Sequence, residues 1–259
     1  MIESLQSPHV VRVKALLSSK KDRIEEQLFI AEGLQGAREA LLIKGNVETL
    51  YLSNSGAERL TKAGIEYSSA NVVEVSDKVA EAMSDAITSQ GIIAICRMML
   101  HSKEFLTGLI NKHLIFLQEI QDPGNAGTIL RTADAMGISA IVTSPGSVDF
   151  YSPKVVRSTA GSLWHIPVFP NIEISELRNL LPTHKLYLLD GSGDKSLSTV
   201  NFADPAIWIF GNEARGFSED IKETFNGAER ISIEMPGKAE SLNLAAAAAI
   251  VMHEISRGK

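Results

Sequence analysis

Ala206-Ile207-Trp208-Ile209-Phe210-Gly211-Asn212-Glu213-Ala214-Arg215-Gly216-Phe217 is the stretch around which the rest of the chain is arranged. Its first five residues form an apolar run of the length and composition of a buried strand. Ser218-Glu219-Asp220-Ile221 follows, with a capping serine and acids in a first helical turn, so a helix is expected to start there. Gly211 to Gly216 is then a loop at the carboxyl end of a strand, the edge at which open α/β sheets bind their ligands. Two glycines allow a backbone to approach a flat ligand closely, and a glutamate and an arginine lie between them. Taken alone, the stretch reads equally well as an ordinary glycine-bearing turn.

Outward from that strand the alternation is regular from Leu114 onward. Strands are expected over 114–120, 140–143, 166–169, 185–190, 207–210 and 230–234. Helices are expected over 126–136, 153–160, 175–181, 219–225 and 241–256. Near-continuous apolar strands between helices predict a parallel sheet covered on both faces. The first 97 residues read as a smaller α/β unit, with helices over 8–19, 34–43, 57–63 and 77–83 and strands over 28–31, 47–52, 72–75 and 91–96. Residues 98–112, with two methionines and a short helix over 103–110, read as a linker. The expected organisation is therefore 1–97, a linker over 98–112, and a larger domain over 113–259.

Composition sets limits. Of 259 residues, 44% are apolar and 22% charged, the balance of a globular protein, and no apolar run nears the ~20 residues that span a bilayer. The amino terminus lacks the apolar core of a signal peptide, which points to the cytoplasm. The single cysteine, Cys96, excludes an internal disulfide and reads as a small buried apolar residue. Net charge is -6, with 13 basic and 14 acidic residues in 1–112 against 12 and 17 in 113–259, so bulk charge argues for no nucleic acid. Locally the balance reverses. Arg12, Lys14, Lys20, Lys21 and Arg23 face one acid, Asp22, and form either a phosphate-binding cluster or a solvated helix face.

Several standard sites are missing. Gly211 and Gly216 have phosphate-loop spacing, but Phe217-Ser218 stands where lysine and a hydroxyl residue belong. Asp190-Gly191-Ser192-Gly193-Asp194 lacks the third glycine of a dinucleotide turn and reads as a plain loop. Histidines 9, 101, 113, 165, 184 and 253 stand singly, without metal-ligand spacing, and no G-x-S-x-G elbow occurs.

Three polar, glycine-bearing segments remain, each at a strand end. In the first, Gln118 to Arg131, Asn125 suits a helix cap. Arg131 falls about one and a half turns further in, beside Leu130 and Ala133, where it needs an acidic partner or an anion. The second is Gly211 to Gly216. The third, Ile231 to Asn243, places Ser241 and Asn243 at a helix start, where capping alone would explain them.

Together, N-x-G-x-x-x-R at Asn125 to Arg131, G-N-E at Gly211 to Glu213 and I-x-M-x-G…S-L-N from Ile233 to Asn243 resemble the three motifs of SpoU/TrmH-type RNA ribose 2'-O-methyltransferases of the SPOUT superfamily. The match spans 114–256 in order and spacing. More loosely, Lys14, Lys20-Lys21, Arg23, Phe29, Glu32-Gly33 and Gly91 resemble the small ribosomal-protein-like RNA-binding domain of many members. That family often has a glycine before the phenylalanine, where Gln27-Leu28 stands here. The resemblance implies an α/β fold whose C-terminal parallel sheet is tied in a deep trefoil knot, although knots are rare on general grounds. It implies S-adenosyl-L-methionine as cofactor, touched by Gly211, Ile233, Met235, Gly237 and Leu242. It assigns Arg131, Asn125, Glu213, Ser241 and Asn243 to catalysis, and Arg12, Lys14, Lys20, Lys21 and Arg23 to RNA. It implies no metal, no membrane, no DNA, and a homodimer formed through the C-terminal domain. Ala245 to Ala249 would permit that packing, or be buried within one subunit. Ribosomal RNA, 23S in particular, is the expected substrate. Transfer RNA, or a non-catalytic assembly factor retaining the fold, are the alternatives.

Overall fold

The computed structural model describes residues 1–213, 216, 217, 225 and 227–258. The expected helix at 219–225 and its cap Ser218 lie outside the described residues apart from Phe225, as do Ala214 and Arg215. The chain divides into two compact units: Met1–Met99 with Asp149–Trp164, and Leu100–Val148 with His165–Lys259.

The first unit carries a four-stranded sheet in the order β1-β4-β2-β3, from β1 (Leu28–Glu32), β2 (Val47–Leu52), β3 (Val72–Glu74) and β4 (Ile92–Arg97). β4 runs antiparallel to both β1 and β2, and β3 runs parallel to β2. The helices are α1 (Pro8–Ser18), α2 (Lys20–Glu26), α3 (Gly33–Leu42), α4 (Asn54–Lys62) and α5 (Asp77–Ala82). α1 starts with Ser7 as cap and proline in its first turn, and it buries Val10, Val13 and Leu16 on one stripe. These join Ile30, Tyr51, Val79 and Ile95 in the core. Cys96 is fully buried, as expected, and burial raises its thiol pKa. α2 was missed by the sequence reading because its seven residues are too few to show a period. Gly56 and Gly91 make one close approach, where a Cβ on Gly56 would stand 2.1 Å from the Gly91 carbonyl oxygen.

The second unit carries seven parallel strands in the order β7-β6-β5-β10-β8-β11-β9. They are β5 (Leu114–Leu117), β6 (Ile141–Thr143), β7 (Val168–Phe169), β8 (Lys185–Leu189), β9 (Lys195–Ser196), β10 (Ala206–Phe210) and β11 (Glu229–Ser232). Every pairing is parallel, with Phe210 beside Leu117 on one side and Leu189 on the other. β10, the strand that opened the sequence reading, is buried throughout at the centre of the sheet. The helices α6 (Glu104–Thr107), α7 (Pro123–Ala135), α9 (Ile174–Leu180) and α10 (Leu244–Arg257) belong to this unit, and α7 packs against α10. Ala245 and Ala248 are buried on the α10 stripe that carries Val251, Met252 and Ile255.

One element departs from the expected organisation. α8 (Pro153–Ser158) lies between β6 and β7, where a crossover helix of the parallel sheet was expected. It packs on β1 of the first unit instead. Phe29 holds this segment through Tyr151 and Trp164, at ring-centroid distances of 4.9 and 5.7 Å. The Trp164 Nε1–H donates to Asn46 Oδ1 at 2.9 Å.

Candidate active site

α7 begins with Asp122 as its cap: the Asp122 carboxylate accepts from the Asn125 N–H at 2.7 Å, and Pro123 takes the first helical position. This corrects the expectation that Asn125 is the cap. The signal, an aspartate directly before a proline, was present in the sequence. With the cap supplied elsewhere, the Asn125 side chain is released for longer-range bonds.

Those bonds join all three motifs. Glu213, directly after β10, accepts from the Asp122 N–H at 3.0 Å, from the Gln121 N–H at 3.2 Å and from Asn125 Nδ2 at 3.4 Å. Asn125 Oδ1 accepts from Asn243 Nδ2 at 3.0 Å. Asn243 Oδ1 caps α10 by accepting from the N–H groups of Ala245 and Ala246. The direction of every bond is fixed. A cap must accept, so Asn243 presents its NH₂ to Asn125. Asn125 therefore receives on oxygen and donates to an acceptor-only carboxylate. Capping explains Asn243 in part, as the sequence suggested, but its other end serves the site. Ser241 precedes the helix and is exposed.

On a core helix Arg131 was expected to need an acidic partner or an anion. The structure places it on the exposed side of α7, and among the described residues its side chain makes no ion pair. Its guanidinium is exposed to solvent.

Next to this network is a cavity of about 340 Å³ at the carboxyl ends of β8, β10 and β11. Gly211, Ile233, Met235 and Leu242, residues expected to touch the cofactor, line it together with Ser241 and Glu213. Gly237, also expected to touch the cofactor, is exposed and lies outside the lining, with open space around it. The two loop glycines have a local role. A Cβ on Gly211 would meet the Gly216 carbonyl oxygen at 2.7 Å, and Gly216 has φ +59°. Asn212 and Gly216 exchange both backbone hydrogen bonds, at 3.1 and 2.9 Å, which closes the loop on itself. Sequence reasoning passed over the lining residue Asp190 as part of a plain loop. Burial acts to raise its pKa, but hydrogen bonds from Ser192 and Arg230 outweigh that, and the carboxyl sits below its ordinary range. Gly193 has a structural purpose there, since a Cβ would stand 2.7 Å from the Ile231 carbonyl carbon.

The basic cluster of the first unit divides. Arg23 is buried, 4% exposed, with Asp149 at 2.8 Å and the Leu16 carbonyl at 2.6 Å. It is a core ion pair, which corrects its assignment to RNA. Arg12 is held by Glu26 at 2.8 Å and Glu48 at 2.7 Å, and its pKa is raised, chiefly by the bond to Glu26. Lys14, Lys20 and Lys21 remain exposed; of the three, Lys21 lies 3.7 Å from Glu25.

Residues 112–253 match the model of the SpoU rRNA Methylase family, and residues 8–94 match the MRM3-like substrate binding domain. The chain is 30% identical to the 23S rRNA (guanosine(2553)-2'-O)-methyltransferase RlmP of Bacillus subtilis, across 98% of each chain. Among solved structures, an AdoMet-bound rRNA methyltransferase from Sinorhizobium meliloti is 28% identical, with TM-score 0.83, covering 99% of this chain and 97% of the other. An RNA methyltransferase of the TrmH family from Porphyromonas gingivalis is 29% identical with TM-score 0.81, covering 99% and 100%. Three motifs joined by one directed chain of hydrogen bonds, and a family match over more than half the chain, lead to one conclusion: this protein belongs to the SpoU rRNA methylase family.

Proposed function

We propose that the protein transfers a methyl group from S-adenosyl-L-methionine to a ribose 2'-oxygen of RNA, and that its substrate is 23S ribosomal RNA. The observation that carries this reading is the Glu213–Asn125–Asn243 chain beside a cavity that Glu213 itself lines. The cavity fits the donor chemically: main chain at Gly211 can read an adenine edge, and Ile231, Ile233, Met235 and Leu242 offer apolar walls. When bound, the donor supplies a sulfonium-activated methyl group. The protein then has to align the nucleophile and exclude water. Arg131 offers an open guanidinium that can grip the adjacent phosphate in two parallel bonds and stabilise negative charge developing on the 2'-oxygen. A guanidinium is a donor without a lone pair to offer, so the hydroxyl proton leaves to solvent or to the phosphate. Asn125, Glu213, Ser241 and Asn243 position the ribose and the loop before α7. The 2'-hydroxyl is what distinguishes RNA from DNA here.

Support for ribosomal over transfer RNA comes from the B. subtilis relative, similar over nearly its whole length. Lys14, Lys20 and Lys21 would contact phosphates. Residues 1–97 act as the RNA-binding part and 113–259 as the catalytic part, with 98–112 between them and Asp149–Trp164 serving the former. We further assign a homodimer through the C-terminal part, the family's trefoil knot and a cytoplasmic location. Sedimentation equilibrium would test the first. The test of the activity is transfer of labelled methyl to 23S RNA, with nucleoside analysis of the product. A 2'-O-methylnucleoside is expected, and its loss by at least ~100-fold on Arg131→Lys, which keeps charge but not the fork. Base methylation, no transfer, or a fully active Arg131→Lys would refute the scheme.

A further inference from the structure

β5 ends at Leu117, and the chain reaches α7 through a turn at Glu119 with φ +50°. A non-glycine residue in the left-handed region persists only where its surroundings hold it. The holding bonds are visible. The Glu119 N–H donates to the buried Ser144 Oγ at 2.8 Å. The Glu119 carbonyl accepts from Asn212 Nδ2 at 2.9 Å and from Gln121 Nε2 at 3.2 Å. Gln121 Nε2 also donates to the Gly146 carbonyl at 2.6 Å. Beyond this turn, the N–H groups of Gln121 and Asp122 both point at the Glu213 carboxylate.

Asn212 belongs to the other side of the site. It lines the cavity with Gly211 and Glu213, and its backbone is locked to Gly216. One side chain thus reaches from the wall of the cavity to the strained residue that aims the loop before α7. We infer that Asn212 is a positioning residue: by holding the Glu119 carbonyl it ties the placement of Asn125, and of α7 carrying Arg131, to the conformation of the cavity loop. Filling the cavity and aligning the RNA are thereby coupled, and coupling of this kind is reciprocal. The inference rests on the proposed methyl transfer, and it gives the middle residue of Gly211-Asn212-Glu213 a task that the motif resemblance did not assign.

The test compares Asn212→Ala, Glu119→Gly and the double variant. Glycine adopts positive φ without a clamp and keeps the carbonyl. Asn212→Ala is expected to lower kcat about tenfold, the worth of one lost hydrogen bond in the aligned state. Calorimetry should find S-adenosylmethionine affinity within about twofold of wild type, and the roughly tenfold kcat loss is what the double variant should partly recover. Amide exchange at Gln121 and Asp122 should quicken in Asn212→Ala and slow again in the double variant, a readout that needs no turnover. A purely structural asparagine would lower Tm while leaving kcat and those amides unchanged, and that result overturns the inference. So does a cofactor affinity that falls as far as kcat, which would make Asn212 a ligand contact. Wild-type protein that methylates no RNA refutes the proposed function instead, and exchange at the two amides still decides the clamp.

Discussion

The polarity of a single amide governs much of the site. Asn125 must accept from Asn243 and donate to Glu213 at once, so its aspartate variant replaces the donor by a charge facing a carboxylate. Asn125→Asp should cut kcat by about 100-fold, a loss of ~2.7 kcal/mol, with cofactor affinity little changed; single-turnover methylation would measure it. Asp190 supplies a pH test. Its folded pKa lies below the ordinary value because bonds from Ser192 and Arg230 favour the ionised form over the opposing effect of burial. A depressed carboxylate contributes stability that is present above its unfolded pKa, near ~3.9, and is lost as pH falls through the folded value. Asp190→Asn should therefore cost about 1 kcal/mol at pH 7. That gap should close as the pH falls below about 4, as followed by urea unfolding from pH 7 to 3.

At the scale of elements, one buried pair ties α2 to the segment that carries α8. Arg23, on α2, reaches Asp149 at 2.8 Å and the carbonyl of Leu16 on α1. Both side chains of the pair are largely out of water, 5% and 14% exposed, so removing one partner strands a buried charge. Asp149→Ala should destabilise the first unit by about 3–5 kcal/mol, while Lys14→Ala, at an exposed position, stays within about 0.5 kcal/mol. Denaturant unfolding monitored at Trp164, which sits in the same segment, would separate the two. Among the described residues, local pattern gave nearly every strand and helix because burial repeats with the element's own period. It failed for α2 and for the two-residue β9, and it gave no hint that α8 would pack on β1.

For the whole molecule, net charge conceals where RNA would be met. The chain carries -6, yet three lysines of the first unit stand exposed close together in sequence. Replacing Lys14, Lys20 and Lys21 with glutamine should weaken RNA binding and reduce the slope of log affinity against log salt by about 2, at ~0.7 per lost phosphate contact on single strands. Filter binding over a salt series reads this directly, and an unaltered slope removes the lysines from the interface. Arg23 has no place in that set, since it is committed to Asp149 inside the fold.

By itself the sequence determined most of the strands and helices in their order, the parallel character of the larger sheet, the burial of Cys96 and β10, and the three motifs with their spacing. Each depends on residues a few positions apart, so each leaves a local signature. Tertiary structure alone decided that Arg23 is a core cation, that Arg131 stands exposed, and that Asn212 restrains Glu119. Those outcomes depend on partners up to 126 positions apart along the chain. Which charge finds a buried partner, and which is left to meet a ligand, is fixed only when the sheets bring such distant residues within the 3 Å reach of a hydrogen bond.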